Sequence, residues 1–136
     1  METLIEQFIR HEGLRFKPYR CTSGKLSIGV GRNLDDVGIT KEEAMYLLRN
    51  DISRCMTECR LKIIFFDQLD EARQDVLLNM CFQMGISGLL KFKNFLSFLE
   101  KQDFDSAAEE MLKSKWAGQT PARAKELSGV IKKGGM

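Results

Sequence analysis

The sequence is poor in the residues that usually announce a metal centre, a disordered chain or a membrane anchor. It has one histidine, two prolines and one tryptophan. The lone His11 reads as a helix-end surface residue, with nothing around it to make it a base or a ligand. Few prolines and no low-complexity tract argue against disorder beyond the last few residues. No apolar run approaches the roughly 18 residues of a membrane-spanning helix. Met1 to Arg10 carries Glu2, Glu6 and Arg10 where a signal peptide would have its apolar region. The expectation is a chain that stays in the cytoplasm unless something else releases it.

Charge of one sign is also scarce. A formal net charge of +2 is too small for the basic field that nucleic-acid binding needs, and no recognition motif accompanies it. Its distribution is less even. From Met111 to Met136 stand six basic residues (Lys113, Lys115, Arg123, Lys125, Lys132 and Lys133) against one acid, Glu126. That gradient suits an anionic polymer and equally suits a solvated helix face.

Cysteine is present but thin. Cys21, Cys55, Cys59 and Cys81 do not make a disulfide framework in a chain of 136 residues, and they read as reduced thiols. Cys55 and Cys59, four apart on a predicted helix, lack the two further ligands at suitable spacing that zinc would need; they read as small buried apolar residues.

What is there fits one globular domain spanning residues 1–136, with 43% hydrophobic and 29% charged residues. Leu4, Ile5, Phe8 and Ile9 recur at helical spacing behind Thr3, so the spacing predicts a capped helix ending near His11, with Glu12 and Gly13 at its exit. The stretch from Tyr19 to Gly31, with a turn cluster at Gly24, reads as a short hairpin inside a small β region over about 13–35. Thr40 and Glu43 have capping-box spacing and open a helix through Cys55. Beyond it the chain reads as helical: Leu69 to Met84, capped by Asp67 and ended by Gly85, then Leu89 to Glu100, Phe104 to Lys115 and Pro121 to Lys132. The fold class is therefore α+β and mainly α, with a hairpin region beside a helical body (1–12 and 38–133). A crevice between the two parts would suit an extended polymer.

Glycoside cleavage needs an acid for the leaving oxygen and a second group that attacks the anomeric carbon or activates water. Glu12, at a helix exit beside a hairpin, is placed for the first task. The residues around it carry more. Glu12-Gly13-Leu14-Arg15, Pro18-Tyr19, Ser27-Ile28-Gly29-Val30-Gly31, Asn79 to Gly85 and Ser114 to Ala124 occur in an order that resembles the T4-type phage lysozymes. The resemblance covers about residues 2 to 130.

The resemblance implies a lysozyme-like fold with an active-site cleft. It further implies an endolysin that hydrolyses the β-1,4 bond between N-acetylmuramic acid and N-acetylglucosamine of bacterial peptidoglycan, with no metal or cofactor. That family's catalytic pattern is a Glu, eight residues, an Asp or Cys, five residues, and a Thr. Glu12, Cys21 and Ser27 fall at those spacings, with the less common Cys and with Ser in place of Thr. Glu12 would be the general acid, Cys21 would activate the water or attack the sugar, and Ser27 would help hold the water. An ordinary thiol titrates near about 8.5, and Arg20 or Arg15 is expected to lower that value for Cys21. By the same resemblance Arg123 would pair with Glu12, and Phe82 and Gln83 would line the sugar site, with Phe82 the better stacking candidate. Trp116 reads as core. Arg32 is expected to pair with Asp51.

Some departures limit the transfer. The segment between Leu34 and Gly38 is short, and Asn33, Phe95 and Glu110 do not keep the residue types of the family's other saccharide contacts. As an endolysin the protein would wait, monomeric, in the host bacterial cytoplasm for a separate holin before reaching periplasm and cell wall. Two other readings stay open: a catalytically weakened lysozyme-like protein that binds peptidoglycan or a protein partner, and an antibacterial effector with the same chemistry.

Overall fold

The computed structural model describes residues 1–135 and is mainly helical, with one small antiparallel sheet. The chain divides into two compact units, Met1–Leu47 and Leu48–Met136.

The first unit opens with α1 (Leu4–Glu12), whose first turn is capped by Thr3 accepting from the Glu6 amide at 3.1 Å. The helix ends when the Gly13 amide turns back to the Ile9 carbonyl at 2.8 Å. Glu12 is thus its last residue. Three strands follow, β1 (Arg15–Arg20), β2 (Leu26–Gly29) and β3 (Arg32–Asn33), in the order β1-β2-β3. Pairing of β1 with β2 is regular at Tyr19↔Ser27 and Arg20↔Leu26 and shifts between Arg15 and Tyr19. Pro18, which has no amide to donate, lies inside that irregular stretch, and β1 is an edge strand, where proline is tolerated. The expected hairpin therefore gains a third strand. Two residues are too few to show a period of alternation in sequence, so β3 was not foreseeable that way.

Helix α2 (Lys41–Lys62) begins in this unit. The predicted capping box forms at its start: the Glu43 amide donates to Thr40 Oγ1 at 3.1 Å, and the Thr40 amide donates to Glu43 Oε1 at 2.9 Å.

The second unit carries the hydrophobic core. After a short 3-10 turn (Phe66–Gln68) come α3 (Glu71–Leu90), α4 (Lys93–Glu100), α5 (Phe104–Leu112), α6 (Lys115–Gln119) and α7 (Pro121–Lys133). Phe66, Leu77, Met80, Leu89, Phe95, Leu99, Met111 and Ile131 are fully buried, and Cys55, Cys59 and Cys81 pack among them as free thiols. Burial pushes the Cys59 thiol up to about 11 and raises that of Cys81 too, so both stay neutral and inert. Trp116 belongs to this core and stacks edge-on against Phe92 at 6.0 Å.

Three helix boundaries differ from expectation, each for a local reason. The cap of α3 is Asp70, which accepts from the Arg73 amide at 3.3 Å, whereas Asp67 lies in the 3-10 turn and pairs with Arg60 at 3.0 Å. Gly85 ends the first helical stretch as expected (φ 77°, ψ 163°, a conformation that side-chain-bearing residues avoid), but a further stretch follows at once and takes in Leu89 and Leu90, expected in the next helix. Lys115 does not continue α5. Ser114 accepts from the Ala117 amide at 3.1 Å and so starts a new helix there.

Candidate active site

Glu12 is held at the exit of α1 against the backbone of Gly31. Gly31 has φ 67°, and a Cβ built on it would lie 2.9 Å from Glu12 Oε2 and 3.2 Å from both Cδ and Cγ. Only a residue without a side chain lets the carboxylate rest there, and only glycine takes that φ readily. The motif around Gly31 therefore shapes the seat of the acid.

Cys21 begins the turn between β1 and β2. The turn is closed by the Cys21 amide on the Lys25 carbonyl at 2.9 Å and the Gly24 amide on the Cys21 carbonyl at 2.8 Å. It places Ser23 Oγ 3.1 Å from Cys21 Sγ. The Ser23 hydroxyl, followed by the backbone amides of Lys25 and Ser23, brings the thiol down to about 7; partial burial opposes them and the Ser27 hydroxyl adds to them. At pH 7 about half of such a thiol is thiolate, against a few per cent for an ordinary one. Charge is not the cause, contrary to expectation. Arg15 lies over the Tyr19 ring at 4.5 Å, and Arg20 turns to Asp35 at 3.7 Å and to the Gly24 carbonyl at 3.3 Å.

Ser27 sits on β2 opposite Tyr19, only 3% exposed, and its hydroxyl donates to the Lys25 carbonyl at 3.4 Å. The turn thus brings Cys21 and Ser27 together. Its burial removes much of the freedom that serine has relative to threonine.

In the helical unit, Phe82 projects from α3 with 50% exposure into a depression of about 390 Å³, shared with Asp75, Asn79 and Arg123 over a floor of Leu48, Ile52 and Leu78. A half-exposed ring beside an amide and a guanidinium can stack on a sugar and bond its hydroxyls. Gln83 is engaged at one end, its Oε1 accepting from the Trp116 indole at 2.8 Å. Phe95 is wholly buried in the core.

Arg32 does not take Asp51. Its guanidinium donates to both carboxylate oxygens of Glu43, at 2.8 and 2.7 Å, and to the Gly38 carbonyl at 3.0 Å, while Asp51 pairs with Arg54 at 2.9 Å. The Arg32 guanidinium, helped by the Thr40 amide, holds the Glu43 carboxyl down at about 2. The short loop after β3 puts the first turn of α2 within reach of Arg32, so the nearer acid wins. Sequence reasoning missed the roles of Ser23 and Gly31 in this region and, for Glu43, foresaw the cap but not the pairing with Arg32. Among the described residues no cluster of His, Cys, Asp and Glu is arranged to hold a metal ion, and no helix is long and apolar enough to cross a membrane.

A helical protein with a small antiparallel sheet, an acid seated at a helix exit and an acidified thiol at the neighbouring turn falls in the class of lysozyme-type glycoside hydrolases. The phage lysozyme family model matches residues 9–133, and the chain belongs to that family. A probable T4-type lysozyme of Dictyostelium discoideum is 28% identical, over 98% of this chain and 96% of its own length. An endolysin of Acyrthosiphon pisum secondary endosymbiont phage 1 is 29% identical over 91% of this chain and 84% of its own. The pre-baseplate central spike protein Gp5 of Enterobacteria phage T4 is 27% identical over 98% of this chain, but the match takes in 28% of that larger protein.

Proposed function

We propose that the protein is a muramidase that cleaves the β-1,4 bond between N-acetylmuramic acid and N-acetylglucosamine in bacterial peptidoglycan, acting as an endolysin through one lysozyme domain. The observation that carries this reading is the pairing, in one small unit, of a carboxyl group seated on Gly31 with a thiol brought to about 7 beside Ser27. In the proposed reaction Glu12 gives its proton to the glycosidic oxygen as the bond to the anomeric carbon breaks. The Cys21 thiolate takes a proton from a water held by Ser27, and the hydroxide adds to that carbon. One strand leaves as a hemiacetal and the other as an alcohol, and solvent returns a proton to Glu12 and takes one from Cys21. Direct attack by sulfur would instead form a thioglycoside, and a water deprotonated by Glu12 would then break the carbon–sulfur bond and release the retained anomer and the free thiolate.

Phe82 and Gln83 are assigned to sugar binding in this reading, and Arg123 to support of the acid. Release through a holin from the host cytoplasm and lysis of the cell belong to the same proposal. The decisive test is clearing of chloroform-treated Gram-negative cells, with reducing ends counted alongside. Glu12→Gln should abolish both signals. Equal clearing by wild type and variant, or none by either, would favour a binding protein over an enzyme.

A further inference from the structure

We propose that Ser23 is a positioning residue for Cys21: its hydroxyl donates to the sulfur and holds it as the group that accepts a proton from water. The inference rests on the proposed role of Cys21 for its consequence in catalysis, but the contact and its effect on the thiol stand apart from that role.

The geometry is set by the turn. Ser23 follows Cys21 by two residues in a loop pinned by two backbone hydrogen bonds, and this fixes its Oγ at 3.1 Å from Sγ. Either atom can donate in that pair while the thiol is neutral. Once the sulfur is charged, only the hydroxyl has a proton to give, so the bond strengthens in the thiolate form.

The charged neighbours leave this task to the hydroxyl. Arg20, at the end of β1, faces Asp35 at 3.7 Å, and Lys25, in the turn itself, faces Asp36 at 3.2 Å. Each cation therefore comes with its own anion, and the exposed pairs are screened by water. The Ser23 hydroxyl and the turn amides, with a smaller share from the Ser27 hydroxyl, are what remains to tell thiolate from thiol. Burial alone would push the thiol the other way. Cys59 and Cys81 show that outcome where no such turn exists.

The Cys21 thiol can be titrated in the whole protein by its rate of carbamidomethylation with iodoacetamide between about pH 5 and about pH 10, read by mass on the peptide that contains it. The three other cysteines are buried and do not compete. Wild type should be half-maximal near pH 7. Ser23→Ala should move that midpoint up towards about 8.5 and lower the rate at neutral pH several-fold, with part of the loss offset by the greater nucleophilicity of a less acidic thiolate. Ser23→Thr keeps a hydroxyl and should restore the wild-type midpoint. An unmoved midpoint in Ser23→Ala, or one that moves as far in Ser23→Thr, overturns the inference. The pH profile of lysis separates it from the reading on which it rests. A shift of that profile with the alkylation midpoint supports both. A shifted alkylation midpoint with an unchanged lysis profile supports the Ser23–Cys21 contact and removes Cys21 from the reaction.

Discussion

The two units keep their shape by different means. In Met1–Leu47 the one buried residue among those described is Ser27, whereas the buried apolar core runs from Cys55 to Ile131 in the other unit. The first unit relies on caps, a pinned turn and ion pairs such as Arg32–Glu43; the second relies on apolar burial, roughly 25 cal/mol per Å² of surface removed from water. The contrast bears on where the proposed chemistry would sit. The acid, the thiol and the buried hydroxyl all lie in the unit with little core, on local features that can be re-aimed by one residue. The unit with the core holds the exposed Phe82 on a helix that packing keeps in place.

This contrast can be broken by paired substitutions with opposite signatures. Glu12→Gln should lower glycan cleavage by a factor of at least about 10³ while leaving the melting temperature unchanged, since its side chain is exposed and makes no buried contact. Phe95→Ala should do the reverse. Removing a fully buried ring costs about 3–5 kcal/mol of stability in denaturant unfolding, with cleavage per folded molecule retained. A Phe95→Ala protein of normal stability would show that the core is not where burial places it.

A finer comparison lies within the first unit. Gly29 and Gly31 have nearly the same φ, 69° and 67°, but a Cβ on Gly29 meets nothing within 4 Å. Both alanine variants should lose about 1–2 kcal/mol to left-handed strain. Only Gly31→Ala displaces the Glu12 carboxylate, so cleavage at saturating substrate should fall about tenfold further in it than in Gly29→Ala. Equal activities would mean that the acid tolerates the shift.

The smallest effect concerns acid stability. Glu43 falls from its ordinary value of 4.5 to about 2 on folding, so its contribution is present above the unfolded value and is lost as pH drops through the folded one. Thermal melts should show wild type losing stability between about pH 4.5 and about pH 2 more steeply than Glu43→Gln, because the variant has no carboxyl to protonate there. Parallel slopes would remove the Arg32 pair from the account.

Much of this was legible in the sequence where the cause is local. The Thr40–Glu43 box, the Thr3 cap and the break at Gly85 depend on residues within one turn of each other, and all three form. Asp67 and Asp70 both precede the same apolar run, and only the 3-10 turn between them decides which one caps α3. The partner of Arg32 depends on how a short loop folds, which no periodicity encodes. The acidity of Cys21 was assigned to Arg20 or Arg15, yet Arg20 turns to Asp35 and Arg15 lies over the Tyr19 ring, while the Ser23 hydroxyl in the same turn stands 3.1 Å from the sulfur. The resemblance to the phage lysozymes, with the spacing it carries, picked out Glu12, Cys21 and Ser27. The turn that makes the thiol acidic was visible only as a cluster of turn residues.

The most direct measurement is the pH dependence of glycan cleavage by wild type and by Cys21→Asp, followed by release of reducing ends. Wild-type activity should climb with a midpoint near pH 7, where the Cys21 thiol ionises, and Cys21→Asp should reach its plateau far lower, near the carboxylate range of about 4. Superimposable profiles for the two proteins would contradict a thiolate role for Cys21.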